Sequence, residues 1–290
     1  MAEPLPWCHL DGAVMPLADA RISPLDRGFL YADGVYEVVP VHRGRPFRFV
    51  EHIARLEHSL AATGIANPHD RDGWRALFRE LLARNGAAEL YVYLQVTRGA
   101  EFGRNHAPPR DLEPTVFAFC APLPPADPRL LADGLACITA GDTRWARCDI
   151  KSVALLANVL LRGAAVERGA QETILIREGW LTEASSSAVH VVLDDTLLAP
   201  PQTQAILAGT TRAVVEELAQ AAGLRCIARP ISEAELRGAD EVWLSAAVRG
   251  LASVTRLDGH AVGTGTPGPW FRRLHADFAT LIGGLADTPW

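Results

Sequence analysis

Four prolines within the eight residues Ala121–Pro128 (APLPPADP) divide the chain. Each proline fixes φ and lacks an amide hydrogen. Neither a helix interior nor a central strand carries such a density, and the segment reads as an extended interdomain linker over 121–128. An N-terminal α+β domain over 1–120 and a C-terminal domain over 129–290 follow from it. The length of 290 residues suits one large domain or two ordinary ones, and a hydrophobic fraction of 49% supplies a core.

Before the linker, apolar runs on either side of Asp11-Gly12 predict a hairpin within Leu10–Ala20, and Ile22–Gly34 is rich in turn formers. Val35–Val41 (VYEVVPV) reads as a strand, and HRGRP, ending at Pro46, as a turn. Ile53, Leu56, Leu60 and Ala61 recur at helical spacing within Phe49–Ile65; Gly64 closes that helix, and Arg55 sits inside it. A helix over Asp72–Arg84 stops at Asn85-Gly86, Glu89–Arg98 alternates with period two, 99–111 is an irregular loop, and Thr115–Cys120 is a strand.

Beyond the linker, a strand is predicted over Gly134–Thr139 and a strongly apolar helix over Val153–Arg168, ended by Gly169. Buried strands over Thr173–Arg177 and Val189–Leu193 flank a polar turn, Thr182–Ser187. Gly209-Thr210-Thr211 opens a helix running to Ala222, and Val242–Leu244 is a short strand. No internal repeat is visible. Strands and helices alternate without an ordered βαβ succession, which gives an α+β or mixed α/β class.

A net charge of −6 with scattered arginines offers no field for a phosphate backbone, so nucleic acid is not expected as a partner. The five cysteines are odd in number and form no C-x-x-C pair, so neither a disulfide framework nor a metal site is expected. No stretch reaches the roughly 18 apolar residues of a membrane span. The expected location is the cytoplasm.

Lys151 is the only lysine among 28 basic residues; the other 27 are arginine. Arginine stays charged at any working pH, whereas a desolvated lysine loses its proton and attacks a carbonyl to form a Schiff base. Drift of composition would also leave one lysine, and residue type alone does not choose between the two.

Other motifs are weaker. Residues 263–268 (GTGTPG) match a dinucleotide fingerprint by letter, but only 22 residues follow and no βαβ unit fits in them. Ser185-Ser186-Ser187 near His190 lacks the G-x-S-x-G elbow of a hydrolase, although its hydroxyls and amides could face an anion. Gly209-Thr210-Thr211 serves an anion better, because a helix start leaves N–H groups beside the positive end of the dipole. Glu183, in LTEASSS, is a carboxylate among apolar neighbours and gains meaning only with a cationic partner.

Taken in order, RISPLDRGFLYADGVYEVV, EHIARLEHS, LQVTRG with GRNH, RWARCDIKS, LTEASSS, ILAGTTR, LDGHAVG and WFRRLHADF resemble the class IV aminotransferases. These are fold type IV enzymes using pyridoxal 5'-phosphate (PLP), and the resemblance is closest to the D-amino-acid transaminases. It spans nearly the whole chain and implies a two-domain homodimer whose C-terminal domain carries the PLP lysine.

The resemblance implies that Lys151 forms the Schiff base, that Arg55, Thr210 and Thr211 bind the cofactor phosphate, that Glu183 pairs with the pyridine nitrogen, and that Leu207 supports the ring. Tyr36, Arg104 and His106 would receive the substrate carboxylate, the last two from the neighbouring subunit. The implied reaction moves the amino group of a D-amino acid, D-alanine foremost, to a 2-oxo acid such as 2-oxoglutarate by a ping-pong Schiff-base mechanism. Branched-chain L-amino-acid and (R)-amine transaminases and aminodeoxychorismate lyase belong to the same family, and a catalytically silent PLP-binding protein or a cofactor-free Schiff-base aldolase would also use the lysine. The Arg104-x-His106 pair and RCDIKS favour the D-amino-acid branch. Ala184 and Ala188 stand where relatives often have glycine and asparagine, and Ser245–Arg249 departs from the usual Thr- and Ser-rich loop. Arg249 there is a candidate partner for a substrate side-chain carboxylate.

Overall fold

The computed structural model describes residues 3–86, 88–125, 127–287 and 290. The chain folds as two compact units. One comprises Met1–Pro124, Ile150–Ala154 and Leu285–Trp290; the other comprises Pro125–Asp149 and Leu155–Gly284.

In the first unit, β1 (Trp7–Leu10) and β2 (Ala13–Pro16) form the expected hairpin around Asp11-Gly12, both of which take positive φ. Two successive positive φ values match the right-handed twist of paired strands, which is why Asp-Gly suits the turn. α1 (Arg27–Tyr31) lies in the stretch that reads from sequence only as turns; Asp26 caps it by accepting the Gly28 amide at 2.7 Å. Then come β3 (Gly34–His42), β4 (Arg45–Pro46), α2 (Phe49–Thr63), α3 (Arg71–Asn85), β5 (Leu90–Thr97) and β6 (Thr115–Pro122).

The sheet order is β2-β1-β6-β5-β3-β4, antiparallel throughout. Val35, Val39 and Val41 of β3 share a core with Ile53, Leu56 and Leu60 of α2 and with Trp74, Phe78 and Leu81 of α3. The period-two and helical patterns thus meet on one apolar layer. α2 ends at Gly64 and α3 at Gly86, both left-handed, as the sequence predicts.

The lysine stretch packs with this unit although it lies past the proline-rich segment. The Tyr36 amide donates to the Lys151 carbonyl at 2.9 Å, the Lys151 amide to Ser59 Oγ at 3.1 Å, and the Val153 amide to the Gly34 carbonyl at 3.0 Å. These bonds commit residues 151–153 to β3 and α2, so the following helix starts at Leu156 rather than Val153.

The second unit holds α4 (Pro128–Asp133), β7 (Leu135–Gly141), α5 (Leu156–Glu167), β8 (Glu172–Arg177), β9 (Trp180–Ala184), β10 (Ala188–Leu193) and β11 (Thr196–Ala199). After them come α6 (Thr210–Ala221), β12 (Arg225–Ala228), α7 (Glu233–Arg237), β13 (Glu241–Ala246), β14 (Gly250–Leu257), β15 (His260–Ala261) and α8 (Pro269–Gly283). The strand order is β12-β11-β10-β13-β14-β7-β8-β9, with β15 on β14. Parallel pairs (β11–β12, β14–β7, β7–β8) mix with antiparallel ones, so the sheet is mixed. The polar turn is shorter than its sequence suggests: Thr182, Glu183 and Ala184 finish β9, and only Ser185–Ser187 turn. Gly263–Gly268 leads into α8, the last long helix, and no βαβ unit follows among the described residues.

Candidate active site

Within the first unit, β3 alternates so that Val35, Glu37, Val39 and Val41 all face the core. A carboxylate on that face needs charged company. α2 supplies it from one side: His52 and Arg55, three residues apart, both reach Glu37. Arg55 Nε donates to Glu37 Oε1 at 2.7 Å and Nη2 to Oε2 at 2.8 Å, while His52 Nδ1 lies 2.7 Å from Oε2. Burial pushes the Glu37 carboxyl up, but the Arg55 charge and hydrogen bonds, with those of His52, outweigh it and hold it well below the carboxylate range. Burial likewise lowers His52 against the pull of Glu37, with Arg55 and Lys151 adding to the lowering. The fork fixes the plane of the Arg55 guanidinium, a residue expected to meet a phosphate.

Tyr36, next to Glu37 on β3, faces the other way. Lys151 Nζ lies 4.1 Å from the centroid of its ring, which stacks on Tyr93 with centroids 5.7 Å apart. Burial raises the Tyr93 phenol to about 12, and Tyr36 adds to the rise. The amine is thus held over an aromatic face by a backbone pinned to β3 and α2.

Arg104 and His106 lie elsewhere in this unit, on the loop between β5 and β6. Both are exposed, and both bear on Tyr31 of α1: the Arg104 guanidinium carbon lies 5.0 Å from the ring centroid, and the His106 ring 5.5 Å. Tyr36, by contrast, contacts Lys151 and Tyr93. The three residues assigned to one carboxylate therefore form two separate groups within a single chain.

In the second unit, Glu183 lies one residue before the end of β9 with its side chain only 12% exposed. One carboxylate oxygen accepts from Arg144 Nη1 and the other from the Leu207 amide at 3.1 Å. Burial raises its pKa, and the Arg144 charge and hydrogen bond do not fully offset that. Arg144 is braced from behind: Nε and Nη2 each donate to Asp142 at 2.9 Å. Asp142 also accepts from Arg177 Nη2 and from Thr182 Oγ1, each at 2.9 Å. Burial disfavours the Arg144 cation, but Asp142 and Glu183 reverse the balance and raise its pKa. Leu207, expected to support a ring with its side chain, also anchors Glu183 through its backbone.

Thr210 and Thr211 open α6 behind Gly209, which offers no side-chain cap to the first-turn amides. The neighbouring Ser185–Ser187 turn serves a different partner than an anion. Its hydroxyls face the fully buried Glu172: Ser185 Oγ and Ser186 Oγ (2.7 Å) donate to it, Ser187 Oγ lies at 3.5 Å, and Arg162 Nη1 pairs with it at 3.1 Å. Arg249, in the turn between β13 and β14, is partly buried; burial lowers its pKa, and Glu172 pulls the other way.

Four titratable residues of these networks escape a motif-based reading: Glu37, His52, Asp142 and Arg144. Glu37 and His52 are signalled by a carboxylate on the apolar phase of β3 facing a helix with His and Arg three apart. Arg144 lies in the RWARCDIKS motif without a role that spacing alone could assign.

A family model described as amino-transferase class IV matches residues 34–257. A D-alanine aminotransferase from Bacillus licheniformis is 38% identical over 278 residues, covering 96% of this chain and 97% of that protein. One from Staphylococcus aureus (strain MSSA476) is 34% identical over 275 residues, 94% and 96% of the two. Among solved structures, the branched-chain amino acid aminotransferase of Escherichia coli superposes with TM-score 0.90 at 24% identity, over 99% of this chain and 97% of that one. A fold IV transaminase from Curtobacterium pusillum gives 0.81 at 28%, over 95% and 94%.

Class IV aminotransferases work with PLP, and the residues present suit it. The lone lysine amine rests on an aromatic ring, and the arginine expected at the phosphate is locked by Glu37. The carboxylate expected at the ring nitrogen is buried enough to favour a cationic N–H beside it. With the family model spanning most of its length and relatives matching nearly end to end, the chain belongs to the class IV aminotransferases.

Proposed function

We propose that the protein transfers the amino group of a D-amino acid, D-alanine foremost, to a 2-oxo acid such as 2-oxoglutarate in a ping-pong cycle. The similarity to curated D-alanine aminotransferases at 38% identity over 96% of the chain carries this reading, and the Arg104-x-His106 pair supports it. Bound PLP supplies an electron sink for the pair left when the substrate Cα–H bond breaks.

The chain's own residues do the rest. Lys151 Nζ would hold the cofactor, and the same amine is the base that would move the substrate Cα proton. Glu183, oriented by Arg144 and the Leu207 amide, would favour a proton on the cofactor's ring nitrogen. Arg55, Thr210 and Thr211 bind the phosphate, and Leu207 supports the ring. Tyr36, Arg104 and His106 orient the α-carboxylate. We assign the last two to the neighbouring subunit of a homodimer, because in one chain they meet Tyr31 and not Tyr36. The exposed apolar row Leu156, Val159, Leu160 and Val166 on α5 supports a second copy as partner.

The break between units at Pro124 supports 121–128 as the interdomain linker. The five free thiols support a cytoplasmic location. No helix among the described residues is long and apolar enough to cross a membrane.

The test is the first half-reaction, followed by the loss of the visible cofactor band, with D-alanine, L-alanine and L-leucine side by side. Conversion by D-alanine is expected, and activity confined to L-leucine would overturn the assignment. Borohydride should fix the cofactor on Lys151, the sole lysine of the chain; an unmodified Lys151 in reduced holoenzyme would refute its role.

A further inference from the structure

We propose that Arg27 is the positioning residue that holds the Arg104-x-His106 loop in its binding shape, and so sets the affinity for the substrate carboxylate without taking part in the chemistry. This rests on the transaminase reading above.

The loop between β5 and β6 has little regular structure of its own. Gly99 starts it at φ 100°, where an added Cβ would lie 2.0 Å from the Glu113 carbonyl oxygen. Phe102, Arg104 and His106 are all exposed. Arg27, at the start of α1, is 3% exposed, and its guanidinium spends its donors on this loop and its flank. Nη1 donates to Glu101 Oε1 at 2.5 Å and to the Asn105 carbonyl at 2.7 Å. Nη2 donates to the His106 carbonyl at 3.2 Å, and Nε to Asp33 Oδ2 at 2.8 Å. The Arg27 amide also donates to the Gly99 carbonyl at 2.9 Å. One side chain thus holds three positions of a six-residue stretch, including His106 itself and the residue just after Arg104.

The ring of Tyr31, one turn along α1, completes the support. The Arg27 guanidinium carbon lies 4.5 Å from its centroid, that of Arg104 5.0 Å, and the His106 ring packs edge-on. Asp33 is shared with Arg98, whose Nε and Nη2 donate to it at 2.8 and 3.0 Å. Two arginines therefore balance Asp33 and Glu101. α1 is rooted by Asp26, which accepts from Thr97 Oγ1 at 2.9 Å and Thr115 Oγ1 at 2.8 Å, on the strands that bracket the loop.

Arginine is required for this arrangement. Its planar fork points donors in several fixed directions, whereas a lysine ammonium is one point and cannot reach two carbonyls and two carboxylates together. A loop held this way has lost its conformational freedom before the substrate arrives, and the ordering cost no longer weakens binding.

The experiment uses the holoenzyme carrying Arg27→Lys and, as a gentler variant that keeps the Asp33 pair, Glu101→Gln. Steady-state kinetics with D-alanine and 2-oxoglutarate should show KM raised about tenfold in Arg27→Lys with kcat within about threefold, and a smaller rise in Glu101→Gln. Amide exchange at residues 99–111 should speed up in both, while the α2 and α3 amides stay protected. If Arg27→Lys does not fold, Glu101→Gln carries the test. Unchanged exchange across the loop, or a fall in kcat with KM unmoved, would overturn the proposal. Should the wild type fail to use D-alanine, the transaminase reading fails, and the exchange measurement still decides whether Arg27 holds the loop.

Discussion

Arg55 grips Glu37 with both ends of a guanidinium edge, at 2.7 and 2.8 Å, and no solvent reaches the carboxylate. Removing one member of such a buried pair leaves the other charge without compensation, a cost of about 3–5 kcal/mol. Glu37→Gln should therefore lower stability by about 3 kcal/mol in urea melts and weaken cofactor retention in absorbance titrations, because Arg55 loses the partner that fixes its plane. The pH sign follows from the depressed carboxyl. Its contribution is fully present above the unfolded carboxylate range and is lost only as pH falls through the lower folded value. The stability gap between wild type and variant should stay constant from about pH 8 to pH 5. A gap that shrinks within that window would mean Glu37 is not the ionised partner of Arg55.

Arg144 lowers the proton affinity of Glu183 against the effect of burial. Taking the guanidinium away leaves only the Leu207 amide to oppose burial, so the Glu183 carboxyl should rise further and a higher pH should be needed to ionise it. The acid limb of the first half-reaction, profiled against pH, should move upward in Arg144→Gln. Asp142→Asn should move it the opposite way by less, since the Asp142 charge raises Glu183 while Arg144 keeps its own charge. An acid limb unmoved in both variants would sever Arg144 from the function of Glu183.

Much of this was legible in the sequence, and for physical reasons. The helix ends at Gly64 and Gly86 and the Asp11-Gly12 turn each demand a backbone conformation that few residues tolerate, so the letters mark them. The alternation Val35, Glu37, Val39, Val41 sets a carboxylate on the buried phase of β3, but it went unread because its partner lies 18 residues on in another element and only packing joins them. α1 escaped because five residues are too few for a periodic signal. β14 escaped because Gly250–Leu257 is buried at nearly every position, as a central strand of a mixed sheet is, and so shows no period. Lys151 stood out by composition, but its packing with the first unit rests on hydrogen bonds to Tyr36, Ser59 and Gly34 that no spacing encodes. The Ser185–Ser187 hydroxyls looked available to an anion; the fully buried Glu172 takes them.

His190 should give the second unit an acid sensitivity. It is fully buried on β10, with Nε2 2.9 Å from Ser245 Oγ and Nδ1 lacking a hydrogen-bond partner among the described residues. Burial, with the Arg212 charge added, lowers its pKa to about 3. Because the folded value lies below the unfolded one, its contribution is whole above about pH 6.5 and drains away as pH falls toward 3. The loss should reach a few kcal/mol in order of magnitude. His52 acts in the same direction from the first unit. His190→Gln should flatten the fall in melting temperature between pH 6.5 and 4; an equally steep fall would place the sensitivity elsewhere.

Arg249 tests substrate choice. Its turn joins β13 to β14, and the Ala188–Ser245 register sets that turn beside Ser185–Ser187. Glu172 already receives Arg162 and the serine hydroxyls, so a second carboxylate carried by a substrate would find Arg249 less committed. Arg249→Ala should raise KM for 2-oxoglutarate and D-glutamate about tenfold and leave D-alanine unchanged, as loss of one charge-assisted contact requires. Equal changes for acidic and neutral substrates would confine Arg249 to balancing Glu172.

α5 carries the last prediction. Leu161 and Ala165 face inward, while Leu156, Val159, Leu160 and Val166 stand 63–73% exposed at spacings that share one side of the helix. Scattered exposed leucines are ordinary, but four large apolar residues in a row along twelve are a surface that water disfavours. If a second copy covers it, Leu160→Asp buries an unpaired charge in the interface and should shift the protein to monomer in sedimentation at micromolar concentration, with little change in the monomer's own fold because the position is exposed. The kinetic consequence separates this from simple solubility. On the proposed dimer the neighbour supplies Arg104 and His106, so affinity for the substrate carboxylate should fall with dimer content and recover as protein concentration is raised. A variant that stays dimeric, or a monomer with unchanged KM for D-alanine, would show that the site is complete within one chain.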